Sequence, residues 1–222
     1  RDGEFIHTRC FTNDITARKT AEMALNNLVV GTAAAIGKDF FPILVRYLTE
    51  ALGVSYALIA ERIGDEEVTL AYFCDGELLP PQFIPLPNTP CEEVYKRGAY
   101  YCEFEPGQST CIELNRVRAR SYLGVTLNDS QGDAIGLLAI FHRQFLPDPV
   151  HAEQILQVFA ARASTELERQ RAENALQNLI AGTAACTGPD FFSALARYIA
   201  EALHATHTFV TELVEGDRLH LL

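Results

Sequence analysis

The 222-residue sequence lacks most of what membrane anchors, disulfide scaffolds and enzymes depend on. No apolar run approaches the ~20 residues that a bilayer span needs. The first residues, Arg1-Asp2-Gly3-Glu4, are polar and do not form a signal peptide, so the expected setting is cytoplasmic. Methionine is nearly absent: Met23 is the single one and no methionine opens the chain, from which a piece of a longer protein is expected. Six cysteines (Cys10, Cys74, Cys91, Cys102, Cys111, Cys186) include no C-x-x-C pair and have no histidine cluster nearby. That spacing argues against zinc and a disulfide framework, and for small buried thiols in a reducing compartment. There is no G-x-S-x-G, P-loop, H-E-x-x-H or kinase-type glycine loop, so no enzyme activity and no catalytic residue is assigned. His151 lacks the surroundings of a phosphoacceptor histidine, and His204 and His207 have no carboxylate or cysteine arranged around them. Both sets read as surface. Positive charge is scarce as well: the formal net charge is −11, which opposes binding to a phosphate backbone and excludes nucleic acid as a partner. The local exception, Arg116, Arg118 and Arg120, reads as a solvated basic edge, on one face of a strand or spread around a helix.

What the sequence does contain is a copy of itself. The segment from Ala21, AEMALNNLVVGTAAAIGKDFFPILVRYLTEAL, recurs from Ala172 as AENALQNLIAGTAACTGPDFFSALARYIAEAL. The offset is 151 residues throughout, and 22 of the 50 aligned positions are identical. Solenoid repeats are ~20–50 residues long, so a period of this size marks a whole domain. One unit is complete, and the second stops about two strands in. Too little of it is present to close a core alone.

Within the first unit the punctuation is regular. Apolar positions at helical spacing (Met23, Leu25, Leu28, Val29, Ala33) predict a helix over 17–36 that stops at Gly37. Asp39 reads as the N-cap of a second helix, FFPILVRYLTEAL, closed by Gly53. VSYALIAERI and EEVTLAYFC, split by Gly64-Asp65, predict a hairpin. The stretch with Pro80, Pro81, Pro85, Pro87 and Pro90 reads as loop, then Thr89-Pro90-Cys91-Glu92-Glu93 as a capped short helix. A strand (AYYCEF), a short helix (STCIELNRV) and a hairpin across Ser130-Gln131-Gly132 follow. Asp148 opens a long helix expected to run to Gly182, over roughly 30 residues. This order is α+β with an antiparallel sheet.

The segments GKDFFPILVRYLTEALGVSYALIAE, NTPCEEV, SYLGVTLNDSQGDAIGLLAIF and ILQVFAARASTELERQRAE resemble the GAF domain, and specifically the GAF domains of cyanobacterial-type multi-sensor histidine kinases. The resemblance implies a GAF fold: an antiparallel sheet of about six strands, flanking helices, and long helices at both ends. DGEFIHTRCFTNDITARKTAEMAL, with Asp14-Ile15-Thr16 before Arg18-Lys19, resembles the closing strand of a PAS domain. The implied organisation is the end of a PAS domain over 1–16, a complete GAF domain over 17–168, and a linker helix with the start of a second GAF domain over 169–222. Implied beyond these is an output module, a histidine kinase or a cyclic-dinucleotide cyclase.

In the resembling family the ligand pocket lies between the sheet and the loops and short helices facing it. Here that implies Phe73, Phe83, Tyr95, Tyr101, Cys102, Phe104, Cys111, Leu114, Tyr122 and Phe141 as pocket residues. The alternative is that these aromatics simply fill a core beneath a long loop. The cyclic-nucleotide signature Asn-Lys-x-x-x-Phe-x-x-x-Asp-Glu is missing, and so is the Cys-His pair that usually carries a covalent bilin. Cys111 and Cys102 are the nearest thiols to the bilin position and fit it poorly, so no cofactor is assigned. The remaining expectations are a small-molecule ligand, a homodimer through helices near 17–36 and 148–180, and the chain's own neighbouring domains as partners. A dimerising spacer that binds nothing stays open beside the sensor.

Overall fold

The computed structural model describes residues 37–184, 189–202, 205–214 and 218–221. The expected PAS ending and the helix over 17–36 lie outside them, as do Cys10, Cys186 and His204. The chain divides into two compact units at Ser164.

In the first unit a short 3-10 turn (Gly37–Asp39) leads into α1 (Phe40–Leu52). Phe40, Phe41, Leu44, Val45 and Leu48 recur every three or four residues, so one stripe is buried. Asp39 occupies the N-cap place but makes no side-chain cap bond, because its backbone is already helical there. Gly53 ends the helix at φ 62°, a left-handed conformation that glycine adopts without a Cβ penalty. The strands are β1 (Tyr56–Ile63), β2 (Glu66–Cys74), β3 (Glu77–Leu79), β4 (Phe83–Pro85), β5 (Ala99–Glu103), β6 (Ser121–Asn128) and β7 (Ala134–His142). Six of them run in the order β3-β2-β1-β7-β6-β5, and β4 takes the other part of the outer edge of β2. Two pieces of edge strand therefore stand where β3 was not anticipated and a proline-rich loop was expected over β4. Pro85 is tolerated because it closes an edge strand, where no further ladder bond is needed.

Helix α2 (Pro90–Arg97) is capped as the sequence predicts: Thr89 Oγ1 accepts from the Glu92 amide at 3.4 Å, and the Asn88 amide donates to Glu92 Oε2 at 2.7 Å. α3 (Ile112–Arg116) is a short turn of helix. Arg116 ends α3, while Arg118, at φ 56°, and Arg120 follow in irregular chain, so the three share neither one strand nor one helix. Two of the three are paired, Arg116 with Glu113 and Arg120 with Glu105. The β6–β7 turn is held by Asp129 Oδ1, which accepts from the amides of Gln131 and Asp133, both at 2.9 Å. Asp148 Oδ1 accepts from the His151 amide at 3.0 Å and caps α4 (Pro149–Ala184). At 36 residues, α4 continues through Gly182 instead of stopping there. A lone helical glycine costs only about 1 kcal/mol relative to alanine, too little to break a long helix.

Alternation divides the sheet into two faces. One carries Ala57, Ile59, Leu123, Val125, Leu127, Leu138 and Ile140, all buried, on the side where α1 packs against β1 and β2. The other carries Tyr56, Leu58, Tyr72, Tyr122, Leu137, Ala139 and Phe141, packed with Leu86, Cys91, Val94, Cys111 and Leu114 from the helices and loops above it.

The second unit contains the rest of α4, then α5 (Pro189–Ala202), β8 (Thr211–Val214) and β9 (Arg218–Leu221). Phe191 and Phe192 meet edge to face at 5.4 Å and 78°, repeating Phe40 and Phe41 at 5.4 Å and 79°.

Candidate functional site

The face of the sheet beneath α2 and α3 is paved with aromatic rings. Tyr56 and Phe141, cross-strand partners on β1 and β7, stack at 5.1 Å, and Tyr72 tilts against Phe141 at 5.9 Å. The Tyr56 hydroxyl donates to Asp75 Oδ2 at 3.1 Å, and Arg143 closes the same corner by donating to that oxygen at 2.7 Å. Burial, with the Asp75 bond behind it, pushes Tyr56 up to about 12. Tyr72 is buried with its hydroxyl unpaired, near Arg116. Tyr122 lies along β6 over Gly124, where an added Cβ would come within 2.6 Å of the Tyr122 hydroxyl and 2.7 Å of Val94 Cγ2. The absence of that Cβ lets the Tyr122 hydroxyl reach Cys91 Sγ on α2, at 3.4 Å.

Beside Cys91 stands a carboxyl group. Glu67 on β2 is 0% exposed, its Oε1 accepts the Tyr95 hydroxyl proton at 2.7 Å, and its Oε2 has no hydrogen-bond partner. Burial lifts Glu67 to about 7, against the opposing pull of the Tyr95 bond, Cys91 and Arg62. Arg62 lies 4.8 Å over the Tyr95 ring. The same burial pushes Cys91 and Tyr122 well above their ordinary values.

A bulge puts Glu67 there. On β2, Ala71 faces Ile59 but Thr69 faces Ala60, so Leu70 has no partner and the strand changes phase. Tyr72 and Cys74 point to the aromatic face on one side of the bulge, and Thr69 and Glu67 do so on the other. Val68 and Leu70, which plain alternation would send inward, are only half-buried. The outer edge at the bulge is taken by Gln82, whose amide donates to Thr69 Oγ1 at 2.8 Å.

The structure gathers seven of the ten anticipated pocket residues into this cluster: Tyr95, Cys102, Phe104, Cys111, Leu114, Tyr122 and Phe141. The other three are elsewhere. Phe73 is next to Tyr72 and takes the opposite face; Phe83, on edge strand β4, is 72% exposed; Tyr101 alternates away from Cys102 and donates to Glu103 at 2.5 Å. Glu67, Tyr56 and Tyr72 belong to the cluster and were not anticipated. A cysteine at the first turn of α3 is also not where the sequence suggests. Cys111 is the buried N-cap residue just outside the helix, and its thiol is held up by burial. Cys102, half-buried on β5, is pushed up to about 11 by burial. Protonated thiols are poor nucleophiles, which disfavours attachment of a pigment at either one.

Flanking the buried cluster is an open groove with a cavity volume of about 430 Å³. Asn88, Thr89, Glu92 and Lys96 of the α2 region form one wall; Tyr100, Cys102 and Phe104 of β5 and its exit form the floor. It falls within the segment expected to hold a ligand. No group of histidine, cysteine or acidic side chains among the described residues is arranged to hold a metal ion. Among the described residues, no helix is long and apolar enough to cross a membrane.

Comparison with known proteins agrees with this architecture. No curated protein matches the chain. Among solved structures it resembles the GAF domain of a phosphoenolpyruvate-protein phosphotransferase from Coxiella burnetii, at 17% identity and TM-score 0.55, covering 74% of this chain and 99% of that one. It also resembles the GAF domain of a protein described as a sensor histidine kinase from Pseudomonas syringae pv. tomato, at 14% identity and TM-score 0.52, covering 72% and 95%. A third is the chromophore-binding domain of a bacteriophytochrome from Stigmatella aurantiaca, at 13% identity and TM-score 0.52; the match covers 69% of this chain and 60% of that longer one. At these identities the likeness speaks for the fold alone. The family described as GAF domain matches residues 38–167, more than half of the sequence, and the chain belongs to the GAF family.

Proposed function

We propose that the chain is a sensory or regulatory module of a multidomain signal-transduction protein, which passes a ligand- or neighbour-induced change along its linker helix to a downstream output domain. The observation that carries this reading is α4: one helix of 36 residues begins in the GAF unit and runs on into the repeated unit. Apolar positions Ile155, Leu156, Phe159 and Ala163 are buried in the first unit, so a displacement of the sheet's neighbours acts directly on the helix. The histidine-kinase or cyclase output, the preceding PAS domain, the bacterial cytoplasmic setting and a homodimer through the helices belong to the same proposal. The phytochrome and sensor-kinase neighbours support the signalling context by analogy of fold.

A second reading is favoured by the aromatic cluster, whose side chains are buried against one another: a GAF spacer that dimerises and binds nothing. The groove beside α2 favours the sensor instead. Two measurements decide between these. Light scattering of the 24.6 kDa chain is expected to give twice that mass; a monomer at high concentration sinks the helix-coupled dimer in both readings. Native mass spectrometry of the purified chain is expected to show a retained small molecule, and a bare mass from every expression condition leaves the spacer. Co-expression with bilin is expected to leave the visible absorbance blank, and a covalent pigment band would restore the photosensor.

A further inference from the structure

The open groove, the exposed aromatic corner at Phe83 and the buried carboxyl of Glu67 are the features that the proposed function leaves unused. The groove's acidic wall is already neutralised by Lys96, which pairs with Glu92 and Glu93, and nothing in the structure shows what covers Phe83. Glu67 carries an argument further. Its carboxyl group has no solvent exposure, one hydrogen bond, and one oxygen without a partner. A carboxylate with a bare oxygen in an apolar interior is strongly disfavoured, whereas a carboxylic acid places a proton on that oxygen. The Cys91 thiol lies beside the carboxyl as a donor to it, and its sulfur in turn receives the Tyr122 hydroxyl. A polar chain then runs Tyr95–Glu67–Cys91–Tyr122. It joins α2 to β2 through Tyr95 and to β6 through Cys91.

The groups facing Glu67 are few. Strand β1 brings Arg62, its cross-strand partner; β4 brings the apolar Ile84 opposite it; α2 brings Cys91 and Tyr95; β6 brings Tyr122; and Cys111 approaches from the start of α3. Arg62 is the single cation named among them, and it is also engaged over the Tyr95 ring and with the Gly64 carbonyl.

We propose that Glu67 is a proton-operated latch on helix α2. With the acid neutral, the four-residue chain holds α2 down on the sheet. When the proton leaves to solvent, a negative charge is stranded in the aromatic cluster, and α2 loosens together with the groove wall it supplies. No heavy-atom bond forms or breaks; the only transfer is one proton between Oε2 and water. The latch works whether or not a ligand occupies the groove.

The test is a pH titration of the full chain, uniformly labelled with carbon-13 and nitrogen-15, between pH 5 and 8.5. The Glu67 carboxyl carbon is expected to titrate near neutrality, and the amides of residues 90–98 are expected to move with the same midpoint while those of β7 stay still. In Glu67→Gln the α2 amides are expected to be flat over this range. Tyr95→Phe removes the bond that favours the ionised form and is expected to raise the midpoint. A Glu67 carbon that titrates below pH 5, a wild-type α2 that ignores the transition, or an α2 transition that persists in Glu67→Gln each overturns the latch. If Glu67→Gln fails to fold, the direction of the Tyr95→Phe displacement decides, and an unmoved or lowered midpoint counts against it.

Discussion

The two copies of the repeat start from nearly the same residues and diverge at one turn. In the first copy β1 and β2 are joined by Gly64-Asp65, with Ile63 facing Glu66. In the second, Val214 faces Arg218, so three residues separate the partners instead of two. Adding the 151-residue offset to the pair Ile59 and Ala71 gives positions 210 and 222, and the second hairpin keeps that register from Thr211–Leu221 to Val214–Arg218. The second copy therefore carries its extra residue between the two strands. The first copy takes it into the bulge at Leu70, and a one-residue change of register exchanges the faces of everything beyond it. The bulge turns Glu67 inward. Its counterpart in the second copy is Arg218, and that of Arg62 is Leu213, so the Glu67–Arg62 pair belongs to the sequence of the first copy alone. A repeat can thus conserve helices and core while a turn of one residue more or less decides which copy carries a functional group.

The largest expected contrast is in packing. Leu44 is fully buried in α1, and its counterpart Leu195 in α5 is half-buried. Leu44→Ala is expected to lower the unfolding free energy of the first unit by about 2–5 kcal/mol, and Leu195→Ala by under about 1 kcal/mol, as read by urea melts. Equal losses would mean that both copies depend on one core.

Glu67→Gln comes next, and its sign depends on pH. The folded-state value, raised from 4.5 to about 7, means that the native chain holds its proton more tightly than the unfolded chain. The contribution is fully present below about pH 4.5 and is lost as pH rises through about 7. A tenfold change in proton affinity is worth about 1.4 kcal/mol, so ionisation forfeits about 3 kcal/mol at pH 8. Glu67→Gln is expected to be more stable than wild type at pH 8 by up to that amount, with the gap closing toward pH 4. Arg218→Gln in the second copy is expected to show no such pH dependence. A constant gap across the range would refute the buried-acid account.

A third change brings one copy to the register of the other. Deleting Asp65 leaves Gly64 and Glu66 as a two-residue turn when Ile63 pairs with Glu67, the register that the second hairpin keeps without a bulge. The bulge is expected to vanish, Glu67 to leave the aromatic cluster, and its carboxyl carbon to titrate in the usual carboxylate range. A titration still near neutrality would show that packing on the cluster, not turn length, sets the register. The smallest effect is expected from Asp148→Ala, which removes the cap of α4 and costs about 1 kcal/mol, seen as a lower urea midpoint with an unchanged slope.

Much of the fold was legible because its signals are local. Gly53, Thr89-Pro90, Ser130-Gln131-Gly132 and Asp148 each mark an element end through backbone geometry or a cap, and the structure uses every one of them. Gly182 misled because its cost is small beside the length of the helix around it. The cluster was legible only in part. Tyr122, Leu114 and Phe141 could be placed from strand and helix order, but Phe73 and Phe83 could not, since face assignment needs the register. Glu67 was invisible for the same reason. In EEVTLAYFC the plain alternation favours Val68 and Leu70 as inward residues, and nothing in the local sequence announces the unpaired Leu70 that reverses it.

The split outer edge of the sheet bears on how such units coexist in one chain. Strands β3 and β4 each cover only three positions of β2, and Pro80, Pro81 and Pro85 interrupt the row of amides they present. A broken, proline-studded margin offers no template on which a further strand can polymerise. Tandem copies tethered at high local concentration are the situation in which strands of one copy pair wrongly with those of the next. Blunting that margin removes one route by which similar neighbours in a chain zip together.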